Sequence, residues 1–69
     1  MKLKEPIAVR ESLMARDMST IHEIADRLHL AANTVSRALR GEPVQMRTIS
    51  VLAAAIDSTA AEIATVVNE

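Results

Sequence analysis

Residues 20–41 read Thr20-Ile21-His22-Glu23-Ile24-Ala25-Asp26-Arg27-Leu28-His29-Leu30-Ala31-Ala32-Asn33-Thr34-Val35-Ser36-Arg37-Ala38-Leu39-Arg40-Gly41, and this stretch decides the fold. Thr20 and Glu23 form a capping box, in which the threonine oxygen accepts from the N–H three residues on and the glutamate reaches back. Ile21, Ile24, Ala25 and Leu28 then share one helical face, so a helix is predicted from Thr20 to Leu28 or His29. A second is predicted from Ala32 to Arg40, with Val35, Ala38 and Leu39 as its apolar side. It stops at Gly41, a residue suited to a left-handed turn. Only about three residues, His29 to Ala31, separate the two helices. Two short helices joined so tightly make a helix-turn-helix. The pattern sets three local requirements. Ala25 must sit at the helix crossing, where a larger side chain would push the pair apart. Val35 must pack into that crossing. The turn residue needs a positive φ, and that position is His29, a residue type moderately tolerated there.

Outside this stretch the punctuation is sparse. Pro6 suits the first position of a helix running to about Asp17, because its missing N–H would be unpaired there anyway. Ile7, Arg10 and Met14, with Val9 and Leu13, recur at helical spacing and give that helix an apolar stripe. Residues 42–45 are the one clear loop. A fourth helix is expected from about Met46 to Ile56, with Ile49, Val51, Leu52, Ala53 and Ile56 as core. Asp57-Ser58-Thr59 breaks it. Thr59 and Glu62 form a second capping box, opening a fifth helix through Ile63, Val66 and Val67, about residues 60–67. The expected architecture is all-α: one compact five-helix domain over residues 1–69.

Composition agrees. The 69 residues are 49% hydrophobic and 25% charged, with one glycine, two prolines, no cysteine and no aromatic residue. That is the composition of a globular chain rather than a disordered one. Without aromatics the core must be built from Ala, Leu, Ile, Val and Met, and bases of single-stranded nucleic acid have no ring to stack on. Without cysteine there is no disulfide and no thiolate zinc site. No run approaches the ~20 apolar residues of a membrane span, and the N-terminus lacks the apolar core of a signal peptide. A reducing, cytoplasmic setting is expected.

The net charge of −1 hides a gradient. Residues 1–18 and 19–47 each carry +1, while 48–69 carry −3; all eight cations precede Thr48. An anionic partner should therefore meet the N-terminal two-thirds. On the third helix, Asn33, Ser36, Arg37 and Arg40 recur at steps of three and four, forming a polar stripe opposite the apolar side.

Here the residues resemble a known family. Residues 20–25, then Leu30, residues 33–41, Val44 and Thr48 look like the DNA-binding headpiece of the Lac repressor family, across about residues 20–56. The helix before the motif and the capped helix after it are similar to stand-alone phage repressors and Cro-like proteins of the λ-repressor superfamily. The resemblance implies a sequence-specific regulator of transcription, a small prophage-type repressor of the bacterial cytoplasm and nucleoid. It would bind double-stranded DNA in the major groove as a homodimer. By the same resemblance, Ala32, Asn33, Ser36 and Arg37 are the base-reading positions. Asparagine matches adenine N6 and N7, arginine matches guanine O6 and N7, and alanine meets only a thymine methyl. Thr20, Thr34, Arg40 and Arg47 fall at phosphate-contacting positions, and Ile63, Val66 and Val67 on the helix that forms the dimer contact. Three residues depart from the Lac pattern: Ala31 and Gln45 stand where serine is usual, and His29 where glycine is.

Other chemistries are weaker. His22, Asp26 and His29 are spaced like a metal-ligand row, but His22 lies in a first helical turn and His29 at the turn itself, so no metal is expected. No nucleophile, base and orienting group converge, so neither an enzyme nor a cofactor is expected. The reading kept beside DNA binding is a helix-turn-helix that serves protein–protein interaction, as an antirepressor, adaptor or antitoxin-like partner.

Overall fold

The computed structural model describes residues 1–66. Five helices appear in the order α1 (Pro6–Met14), α2 (Ile21–Leu28), α3 (Ala32–Leu39), α4 (Met46–Ala55) and α5 (Ala60–Ile63). The domain is predominantly helical, as expected, but it is not purely so. Two short strands, β1 (Lys2–Leu3) and β2 (Ala64–Thr65), pair antiparallel with Lys2 opposite Thr65 and Leu3 opposite Ala64.

The ladder corrects the expected fifth helix. That helix ends at Ile63 after a single turn, and Ala64 turns extended at φ −137, ψ 161. The Lys4 N–H donates to the Ile63 carbonyl at 2.9 Å, and Leu3 and Ala64 are both buried. Pairing across the ladder satisfies the backbone and buries two apolar side chains. Continuing the helix through β-branched Thr65 and Val66 would offer little in exchange. The segment before β1 also holds the α3–α4 loop, since the Val44 N–H donates to the Met1 carbonyl at 2.7 Å.

Every helix before α5 ends through a residue at positive φ or just ahead of one. Asp17 (φ 62), His29 (φ 55), Gly41 (φ 79) and Asp57 (φ 55) occupy the left-handed region. Each is followed by an amide that reaches back five residues: Met18 to Leu13, Leu30 to Ala25, Glu42 to Arg37 and Ser58 to Ala53. This is the Schellman arrangement, which pairs carbonyls that a helix end leaves open. It explains why α1 stops at Met14 rather than Asp17. Three of these four positions hold a residue with a Cβ, for which the left-handed region costs about 1–2 kcal/mol, less for Asp. His29→Gly is therefore expected to stabilise the domain by about 0.5–1 kcal/mol. At this size that raises Tm by roughly 2–8 °C, measurable by thermal denaturation; an unchanged or lowered Tm contradicts it.

The core is one cluster drawn from every part of the chain: Leu3, Val9, Leu13, Met18, Ile24, Ala25, Val35, Ala38, Ile49, Leu52 and Ala64. Ala25 and Val35 are buried where α2 packs on α3, as the sequence requires. On α1 the apolar stripe is narrower than expected. Val9 and Leu13 are buried, whereas Ile7 is 75% exposed and Met14 50%. In a helix Ile7 and Met14 are two turns apart on one side, and that side faces solvent. On α4, Val51 and Ile56 are only half-buried, and Thr48 joins Ile49, Leu52 and Ala53 in the interior.

Candidate nucleic-acid interface

The helix pair singled out in the sequence is α2 and α3, joined by the left-handed turn at His29. Thr20 caps α2: its Oγ1 accepts from the Glu23 N–H at 3.1 Å. The return half of the box differs from expectation. The Glu23 carboxylate accepts from the hydroxyls of Ser19 at 3.2 Å and Thr20 at 3.4 Å. The Thr20 hydroxyl is thus engaged within its own cap, and a carboxylate stands at the helix end expected to hold a phosphate. Neither Ala31 before α3 nor Gln45 before α4 provides a side-chain cap. No side-chain oxygen satisfies their helix-start N–H groups, although at α4 the Thr48 N–H donates to the Gln45 carbonyl at 3.0 Å.

The α3 stripe has the expected exposure. Asn33, Arg37 and Arg40 are exposed and Ser36 and Ala32 half-buried, while Val35 and Ala38 on the opposite side have no exposed surface. Beside this stripe lies an open cleft of about 620 Å³. Its walls include Ala31, Thr34 and Arg37 from the start and middle of α3, and Gln45, Arg47 and Thr48 from the start of α4. The cleft brings together three of the eight residues expected to contact DNA: Thr34, Arg37 and Arg47. It does not include Thr20, Ala32, Asn33, Ser36 or Arg40. No protein-family model, curated protein or solved structure matches this chain.

Residues the sequence did not point to complete this surface. Met46, the first residue of α4, is 62% exposed beside Arg47. Glu42, read only as part of a loop, forms ion pairs with both stripe arginines: its carboxylate lies 3.8 Å from Arg37 Nε and 3.0 Å from Arg40 Nε. A spacing of five residues from Arg37 is no helical neighbour, so periodicity gives no warning. The contact exists because Gly41 reverses the chain and the Glu42 N–H docks on the Arg37 carbonyl at 3.0 Å.

The expected dimer residues are not gathered on one helix. Ile63 ends α5 and packs against the core. Val66 lies beyond β2 and is 68% exposed. Val67 lies outside the described residues. No helix among the described residues is long and apolar enough to cross a membrane.

Proposed function

We propose that this chain is a λ-repressor-like, sequence-specific double-stranded DNA-binding regulator of transcription. In this reading it is a small prophage-type repressor acting as a homodimer on a near-palindromic operator. One observation carries the reading: a polar, cationic stripe on α3, backed by the fully buried Val35 and Ala38 and presented by a tight left-handed turn. In the roles assigned, α3 enters the major groove. Asn33 and Arg37 read base edges, with Ser36 and Ala32 lining the contact. Thr34, Arg40 and Arg47 approach phosphates, as does the capped start of α2 at Thr20. A two-fold pair of recognition helices would address half-sites about 34 Å apart, one turn of the duplex. Val66 is the described apolar residue near the C-terminus left to meet a second copy.

The test is selection from a random duplex pool at two salt concentrations, with sedimentation for the dimer. Enrichment of a near-palindrome is expected, with affinity falling steeply as salt rises. The alternative, a protein-interaction module built on the same fold, is favoured by the net charge of −1 and by the carboxylate that faces the stripe arginines. It predicts no enriched duplex even at low salt.

A further inference from the structure

We infer that Glu42 is the positioning residue for base reading on this surface. Its carboxylate is ion-paired to Arg37 and Arg40 on the Nε side of each guanidinium, biases where their forked Nη groups point, and so gains base discrimination at the expense of overall affinity. The inference rests on the DNA-reading function proposed above.

The geometry has three parts. First, the backbone of Glu42 is not free to wander: Gly41 at φ 79 and the hydrogen bond that the Glu42 N–H donates to the Arg37 carbonyl fold it back on the end of α3. Second, the carboxylate is divided between two cations, Oε1 toward Arg37 and Oε2 toward Arg40. The remaining ion pair among the described residues, Arg16–Asp57, joins one cation to an aspartate that is 91% exposed, whereas Glu42 is 44% exposed. Third, Nε is the guanidinium atom that faces the carboxylate in both ion pairs, 3.0 Å away in Arg40 and 3.8 Å in Arg37.

The chemistry follows from the guanidinium. Its five N–H donors form a planar fork, and a partner on the Nε side leaves the two terminal amino groups unused. Those two match O6 and N7 of guanine in an end-on approach. An arginine already restrained loses less freedom when it docks, and it is less able to swing away to a phosphate, which every sequence offers equally. The same carboxylate repels phosphate. Its two effects therefore have opposite signs: weaker binding to all duplexes, sharper choice among them.

The test uses the full chain with Glu42→Gln, which keeps an acceptor oxygen but no charge, and Glu42→Ala, which keeps neither. In the free proteins, NMR of the arginine Nε–H groups reports their order. The groups of Arg37 and Arg40 are expected to be more ordered than that of Arg47 in the wild type, and to lose that order in Glu42→Ala. Binding is then measured to the duplex selected by the wild type, to single-base-pair variants of it, and to an unrelated duplex. Glu42→Gln should bind the unrelated duplex about three- to tenfold tighter, with a salt slope steeper by about one. Discrimination at the base pair read by Arg37 should fall about three- to tenfold, and further in Glu42→Ala. If affinity rises while discrimination is unchanged, Glu42 is only a charge and the inference is overturned. Equal mobility of all three Nε–H groups in the free wild type overturns it before DNA is added. If the wild type selects no duplex, the DNA-reading function fails and takes this inference with it, an outcome distinct from a discriminating wild type with an equally discriminating variant.

Discussion

Leu52→Ala is expected to lower the unfolding free energy by about 2–5 kcal/mol, the range for truncating a buried leucine. Leu52 has no exposed surface and lies on α4, which packs against α2, α3 and α5. The cavity should collapse poorly, because α2, α3 and α4 are short helices whose ends are pinned by left-handed turns. A 69-residue domain has only roughly 3–10 kcal/mol in total, so the variant should be partly or wholly unfolded at 37 °C. Urea denaturation followed by far-UV circular dichroism measures the loss. Ile7→Ala, at a residue 75% exposed, is the control and should stay within about 0.5 kcal/mol of the wild type. A Leu52→Ala cost below about 1 kcal/mol would mean that the core is not organised around α4.

Arg37→Ala and Arg47→Ala are expected to separate base reading from phosphate contact, although both residues line the same cleft. Loss of Arg37 should cost about 1–3 kcal/mol of discrimination at one base pair per half-site. Loss of Arg47 should weaken all duplexes alike and reduce the salt slope by about one per protomer. Binding measured on a panel of single-base variants at two salt concentrations distinguishes the two patterns. If Arg37→Ala leaves base preference intact, α3 does not read the groove through this residue, and the interaction-module reading gains.

The α2–α3 pair was legible because its determinants are local. Thr20 and Glu23 announce the start of α2, the i, i+3, i+4, i+7 recurrence of Ile21, Ile24, Ala25 and Leu28 marks the inward side of that helix, and Gly41 announces the end of α3. Even the left-handed backbone at His29 follows from the short gap between the two helices. The exposed stripe of α3 was legible for the same reason, since residues three and four apart share a face whatever the helix packs against. By contrast, Ile7 and Met14 have the right periodicity for a core stripe and still face solvent. Periodicity identifies a face, but not which of two apolar faces finds a partner.

The non-local features were not legible. Lys2–Leu3 carries no strand signal, and Ala64–Thr65 looked like the interior of a helix begun at Thr59. Each becomes a strand only because the other lies alongside, at a separation of about sixty residues. Glu42 likewise has no helical relation to Arg37, and their ion pair depends on the reversal at Gly41. The sequence by itself determined where helices start and stop and which side of α3 is polar, because capping, turn chemistry and side-chain period act within a few residues. Only the tertiary structure decided that the chain ends clasp in a ladder, that Thr34, Arg37 and Arg47 share one cleft, and that a single carboxylate faces both stripe arginines. Those arrangements depend on distances between segments, which are set when the common core closes.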